Sequence, residues 1–373
     1  MSLPITLPGG GGPIPADTTR LMYASTDRNG AAIPVTGAFL RPTLPWQGPG
    51  VRPVIVVAPG TQGQGDQCAP SNTLAYLAQY NGGLDLGVQY EQYAAIYPLL
   101  ALGAAVVVTD HQGFGTPGAH TYFSREASGH AVLDAARAAR NLAGSGLEAD
   151  APVGLWGYSQ GGGSVAAAAE LAADYAPELP LAGTYAGAPV VSVEAELRRF
   201  EGGALTGAMG YYINGAVEEY PALGAAIQRL FNDAGKQMLA DTSGQCVAET
   251  VLTQGFRDTR TWTTTGQTVA DALLSDPGWA AHLGADRTGG LRPNAPVLVQ
   301  ATAHDELVPT YSARQVAADW CAQGAAVTYR ELPLPGDPIG LGVSHVATSP
   351  LSLPGALQWM GDRLAGRPGA STC

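Results

Sequence analysis

Several features are missing from this 373-residue chain, and each absence narrows what it can do. No apolar run approaches the roughly 18 residues that a membrane-spanning helix needs, which argues against a helical membrane protein. Charged residues make up only 13% of the chain, the net charge is −12, and no patch of Lys and Arg stands out. A nucleic-acid partner, which would want clustered cations, is therefore excluded. No C-x-x-C spacing occurs, so a zinc site is not expected, and no other metal or organic cofactor is called for. The start, Met1-Ser-Leu-Pro, has neither a basic n-region nor an apolar h-region. Two readings follow, a cytoplasmic protein or the mature form of an exported one. The four cysteines, Cys68, Cys246, Cys321 and Cys373, are an even set. Two disulfides in an exported enzyme is the preferred reading over four free thiols. There is no internal repeat.

What is present is a large apolar fraction, 46% of the residues, enough for a compact core. Asp27-Arg-Asn-Gly30, between two strand-like stretches, predicts a hairpin. Three continuous apolar runs follow at Pro53–Ala58, Ala104–Asp110 and Val153–Gly157, as strands buried on both faces require. Helical stretches near residues 90–102, 129–142 and 166–173 alternate with them, and later strands are expected at 181–185, 295–301 and 326–332. A closing helix is expected near residues 353–364. The pattern is that of a mostly parallel sheet with helices on both faces. From about Ser192 to Gly290 no buried strand is visible, only amphipathic stretches such as 193–200 and 222–239. A hundred residues of that kind between two strands is an inserted helical cap. The expected division is a core of residues 1–191 and 291–373, with 1–19 as an N-terminal arm, and a cap of residues 192–290. The glycine run within Pro8–Pro15 reads as part of that arm.

Gly157-Tyr-Ser-Gln-Gly161 matches G-x-S-x-G, a weak signal by itself. With 50 glycines and 16 serines in the chain, chance supplies about 0.3 such matches. Its setting is more specific, because the motif directly follows an apolar strand and directly precedes a helix. That is the strand–turn–helix context of a nucleophile elbow, in which a strained turn lifts the serine hydroxyl above the sheet. Ser159 is thus the candidate nucleophile, and the Gln160 N–H, at the start of the helix, a candidate oxyanion donor.

A serine nucleophile needs a histidine to take its proton and a carboxylate to orient that histidine. In this setting the chain order is Ser, acid, His. His111, His120 and His130 precede Ser159, His282 falls in the cap, and His304 adjoins the best acid candidate. His345, in the small-residue stretch Gly342-Val-Ser-His-Val, remains and is expected on a loop before the closing helix. Asp305 follows the apolar stretch 296–301 and is the expected acid. Glu306 is its rival, expected to be a solvated neighbour, and Asp110 is expected to order a loop. The second oxyanion donor is assigned to the Thr61 N–H, in Pro59-Gly-Thr-Gln-Gly63.

These strings, together with Asp66-Gln-Cys-Ala-Pro-Ser71, Val108-Thr-Asp-His-Gln-Gly-Phe-Gly115 and Leu133-Asp-Ala-Ala-Arg-Ala-Ala139, resemble the secretory lipase family of the lipase A type. The resemblance runs from about Leu21 onward. It implies an α/β-hydrolase fold, triacylglycerol lipase or carboxylesterase activity, export, and a helical lid inserted before the acid-bearing strand. It also implies that Cys68 pairs with Cys246, leaving Cys321 to pair with Cys373. The expected partner is a small-molecule or lipid ester, with transient contact at a lipid interface, and the expected state is a monomer. An amidase or peptidase on the same scaffold is the alternative, discounted because no N-terminal propeller precedes the core. A non-catalytic binding protein with a hydrolase fold is the other. Phe200, Tyr211, Tyr212 and Phe231 of the cap have two readings, walls of an acyl tunnel or plain cap core.

Overall fold

The computed structural model describes residues 16–74, 78–88 and 91–373; residues 1–15 of the expected arm lie outside them, and residues 16–19 belong to the first strand instead, paired with residues 39–42. Among the described residues ten strands are formed: β1 (Ala16–Thr26), β2 (Ala32–Pro42), β3 (Val54–Ala58), β4 (Ala78–Gly82), β5 (Asp85–Val88), β6 (Ala105–Thr109), β7 (Val153–Tyr158), β8 (Leu181–Gly187), β9 (Val297–Thr302) and β10 (Val327–Leu332). Eight of them build one sheet in the order β1-β2-β6-β3-β7-β8-β9-β10. The β1–β2 and β2–β6 pairings are antiparallel and the rest parallel, so the sheet is mixed only at its front edge. The front hairpin turns at Asp27, whose side chain accepts from the N–H groups of Asn29 and Ala31, both at 2.8 Å. β4 and β5 form a separate two-stranded hairpin that the sequence reading left unassigned.

The continuous apolar runs are explained by the two faces of the sheet. Val54, Val56 and Ala58 of β3 point to one core and Ile55 and Val57 to another. β6 divides in the same way, with Ala105 and Val107 on the first face and Val106 and Val108 on the second. Helices Arg125–Asn141, Gln160–Tyr175 and Thr310–Ala322 cover the first face. Tyr97–Ala101 and Val343–Leu364 cover the second. A strand buried on both sides cannot alternate polar with apolar residues, hence the unbroken runs.

Between β8 and β9 the described chain forms helices and isolated bridges but no named strand. These helices enclose their own apolar core, to which Phe200, Tyr211, Tyr212 and Phe231 belong. The expected stretch 222–239 is broken at Phe231 into helices Gly224–Leu230 and Asp233–Thr242. Asn232 caps the second, its side-chain oxygen accepting from the Gly235 N–H at 3.0 Å. Several contacts tie the inserted region to the sheet layers, a disulfide and a buried carboxylate among them. Cys68 and Cys246 form a disulfide with Cα atoms 5.5 Å apart. At the returning end, buried Glu170 accepts from Gly289 N at 2.6 Å and Trp320 Nε1 at 2.8 Å, and pairs with Arg125. Cys321 and Cys373 form the second disulfide. No helix among the described residues is long and apolar enough to cross a membrane.

The largest departure from expectation is the closing helix, which runs over Val343–Leu364 and begins ten residues earlier than expected. Pro350 and Pro354 lie inside it. Each proline lacks the N–H for one i→i−4 hydrogen bond, yet the helix continues through both. His345 consequently sits in the first turn of this helix and not on a loop.

Candidate active site

The site is assembled at the carboxyl ends of β3, β7 and β9. Ser159 follows β7 and occupies the N-cap of helix Gln160–Tyr175 with φ 59° and ψ −121°, a conformation that L residues rarely adopt. Both motif glycines are required by backbone, not by chance. A Cβ on Gly157 would stand 2.0 Å from the Gly161 carbonyl oxygen, and one on Gly161 2.0 Å from the Ala58 carbonyl oxygen. The Ser159 N–H donates to Gly187 O of β8 at 2.9 Å, which fixes the turn against the next strand.

Asp305 lies just beyond β9 and is buried. Its carboxylate stands 2.9 and 3.1 Å from His345 Nδ1 and accepts from the Val308 N–H at 2.8 Å and the Leu307 N–H at 2.9 Å. Burial alone would raise the Asp305 carboxyl. The facing imidazole and the two backbone donors outweigh it and hold the group below its ordinary value. Asp305 is thus present as an acceptor for an Nδ1–H, which leaves Nε2 of His345 as the basic nitrogen. On its other side His345 is held by Tyr158, whose hydroxyl donates to His345 O at 2.6 Å.

Ser159 and His345 open into one cavity of about 370 Å³. Its walls are mainly apolar, with Leu205 and Val247 from the inserted region and Leu307, Val346 and Pro350 from around the histidine. The four aromatics considered for a tunnel wall are buried in the inserted region's own core instead. A larger cavity of about 760 Å³ contains neither Ser159 nor His345 and is lined by charged side chains such as Arg199, Glu306, Arg314 and Asp337. Volume alone would select it, but the chemistry lies in the smaller one.

Thr61 also borders the smaller cavity, and its hydroxyl is 2.7 Å from the Tyr122 hydroxyl. The loop that carries it is fixed from both sides. Buried Glu91 accepts from the Gly60 N–H, while Gln64 N donates to Gln245 O at 3.0 Å and Val247 N to Gln62 O at 2.8 Å. Gln160 begins the helix after Ser159, and its side-chain amide lies 2.8 Å from His120 Nε2. His120 Nδ1 is 2.9 Å from Gln112 O, so Nδ1 carries the proton and Nε2 accepts from Gln160. Burial pushes His120 down to about 4, which keeps it neutral at physiological pH.

The remaining candidates fall elsewhere. Asp110 is buried and orders a loop, accepting from the Ser71 N–H at 2.7 Å and the Thr36 hydroxyl at 2.8 Å. His304 is exposed, and His282 packs among Tyr212, Tyr220 and Trp279 in the inserted region. Glu306 is half-buried on the wall of the larger cavity, and its carboxylate also accepts from backbone N–H groups that include that of His345. Sequence reasoning also passed over Glu196, a fully buried carboxyl. Burial pushes it well up, and the negative charge of Asp305 adds to the effect.

Comparison with known proteins bears on the family and the fold. The profile of the secretory lipase family matches residues 81–372. A probable inactive lipase of Mycobacterium tuberculosis is 31% identical over 362 residues, covering 95% of this chain and 75% of its own. A secreted triacylglycerol lipase of Malassezia globosa is 29% identical over 316 residues, and the chain spans 62% of its length. Among solved structures, Candida antarctica lipase A in its closed state superposes with a TM-score of 0.81 at 23% identity, over 100% of this chain and 83% of its own. A rice cell wall degrading esterase from Xanthomonas oryzae superposes with a TM-score of 0.71 at 18% identity, over 92% of this chain and 91% of its own. The fold is the α/β-hydrolase fold, and the chain belongs to the secretory lipase family.

Proposed function

We propose that the chain hydrolyses carboxylic esters, acylglycerols among them, through an acyl-enzyme on Ser159. The observation that carries the reading is His345, held by Asp305 at 2.9 Å and opening beside the strained Ser159 into one mainly apolar cavity. Ser159 Oγ attacks the ester carbonyl while His345 Nε2 takes its proton. Asp305 keeps the Nδ1 proton in place and stabilises the imidazolium that forms. The tetrahedral oxyanion is held by the N–H groups of Gln160 and Thr61, each worth roughly 3–4 kcal/mol in comparable sites. The imidazolium returns the proton to the departing alkoxide, and the alcohol leaves. Water, deprotonated by His345, then cleaves the acyl–serine bond and regenerates the free serine.

An apolar cavity of this size suits an acyl chain and offers few groups that would bind a peptide backbone, which favours esters over amides. Residues 192–290 act as a lid over the core, contributing Leu205 and Val247 to the cavity wall. Val343 and Val346 are more than half exposed beside the opening, and Ile339 is exposed just before them. Such side chains favour transient contact with a lipid surface. The protein works as an extracellular monomer. Export is supported by the two disulfides and by the secreted relatives.

One relative carries the name of a probable inactive lipase, so the decisive measurement is turnover. The wild type should hydrolyse p-nitrophenyl butyrate and react with a fluorophosphonate probe, and Ser159→Ala should do neither. Full activity in Ser159→Ala would end this mechanism. No labelling of the folded wild type would favour a binding protein with a hydrolase fold.

A further inference from the structure

We infer that Glu306 is a positioning residue for His345, holding the backbone of the histidine whose ring Asp305 holds. The inference rests on the proposed role of His345 as general base. The helix that carries His345 lacks a cap of its own. Its N-cap is Gly342, in the left-handed region at φ 86°, with no side chain to offer. The first intrahelical bond runs from Val346 N to Gly342 O at 2.9 Å. The N–H groups of Val343, Ser344 and His345 would otherwise be left without acceptors.

Two remote carboxylates take all three. Asp337 accepts from Val343 N at 3.0 Å, and also from Ile339, Leu341 and Gly342 within the preceding loop. Glu306 accepts from Ser344 N at 3.3 Å on one oxygen and from His345 N at 3.1 Å on the other. It also accepts from Asp337 N, which joins the two carboxylates into one unit. Negative charge at a helix N-terminus is favoured by the helix dipole as well as by these bonds.

Asp305 and Glu306 are consecutive residues. One peptide bond therefore couples the carboxylate on the imidazole to the carboxylate on the backbone of the same histidine. Tyr158 completes the hold at His345 O, so ring, N–H and carbonyl are each fixed from outside the helix. Without Glu306 the first turn can fray, and His345 moves relative to Ser159. A displacement of about 1 Å in such a site lowers the rate by as much as about 100-fold.

The test uses the full-length protein with Glu306→Ala, Glu306→Gln and Asp337→Ala, and His345→Ala as reference. Steady-state hydrolysis of p-nitrophenyl butyrate gives kcat and KM. Low-field proton NMR gives the resonance of the His345 Nδ1–H held by Asp305. Glu306→Ala should lower kcat about 10- to 100-fold, with KM within about twofold because the cavity wall is untouched, and should broaden or remove the resonance. Glu306→Gln keeps one acceptor oxygen in place of two and should fall between wild type and Glu306→Ala in both readouts. Asp337→Ala loses stability, but its kcat should stay within about threefold and its resonance should remain.

Wild-type kcat and resonance in Glu306→Ala would overturn the inference. So would an equal loss in Asp337→Ala, which would assign the effect to the loop as a whole. Should Glu306→Ala not fold, Glu306→Gln decides: wild-type values of both readouts there overturn the inference as well. A wild type without turnover would refute the proposed function, while the resonance would still decide what Glu306 does.

Discussion

Replacing Gly161 by alanine is the sharpest test of how the site is held together. The added Cβ would stand 2.0 Å from Ala58 O, 2.7 Å from Ala58 C and 2.8 Å from Pro59 O. A carbon and a carbonyl oxygen in contact need about 3.3 Å, so the helix after Ser159 and the end of β3 must part by more than about 1 Å. Both obstacles are backbone, so no rotamer change relieves them. The two proposed oxyanion donors lie on opposite sides of this contact, Gln160 on the helix and Thr61 on the loop. Parting them stretches a hydrogen bond of about 3 Å to about 4 Å, which removes it as a bond. The loss should be about 100-fold or more in kcat, the cost of one oxyanion donor.

Overpacking of this kind destabilises by about 1–3 kcal/mol. For a chain of this length, with an unfolding entropy near 0.8 kcal/mol/K, that is about 1–4 °C in Tm. A large loss of rate with a small loss of stability is the expected signature, read by p-nitrophenyl butyrate kinetics and thermal unfolding on the same sample. Gly284→Ala is the control, because it lies in a helix with nothing within 4 Å of the new Cβ; its kcat should equal that of the wild type. Gly161→Ala with kcat within threefold of the wild type would refute the reasoning.

Stability should fall as pH rises from 6.5 to 8.5. Burial pushes Glu219 up to about 8, with Asp286's charge adding to it and the Ser124 hydrogen bond and Arg28 opposing it. The unfolded chain ionises this group near 4.5, so the stabilisation present at low pH is lost progressively up to about 8. Glu219→Gln should flatten this decline in Tm, and a wild-type Tm that rises over the interval would contradict it. The two disulfides should differ in consequence. Closing loops of 178 and 52 residues, they contribute about 5 and about 4 kcal/mol by chain entropy. Only the pair at Cys68 and Cys246 adjoins the loop of Thr61, through the Gly63–Cys246 bridge. Cys68→Ser/Cys246→Ser should therefore lower kcat as well as Tm, and Cys321→Ser/Cys373→Ser only Tm. Equal kcat in the two double variants would contradict that.

Local rules made much of this protein legible in one dimension. Strands β3, β6 and β7 are readable because burial on both faces admits only apolar residues. The Ser159 turn is readable because the backbone leaves no room for side chains at Gly157 and Gly161. Ser159, Asp305 and His345 each come after a strand of the parallel part of the sheet, so the carboxyl ends of β7, β9 and β10 bring them to one edge.

What the sequence could not supply depends on residues that meet only through the fold. The closing helix begins at Val343 because Glu306 and Asp337 cap it. Glu306 lies 38 and 39 residues before the amides it receives, and no spacing rule links them. Glu306 itself reads as a surface acid until the loop from Asp337 folds over it. The cavity wall came from Leu205 and Val247 rather than from the aromatics of the same region, because helices that enclose a core of their own bury their largest side chains there. Composition and periodicity thus determined the sheet, its helices and the strained serine. Long-range capping and the packing of the inserted helices, which only tertiary contact fixes, decided how the histidine is held and what the cavity is lined with.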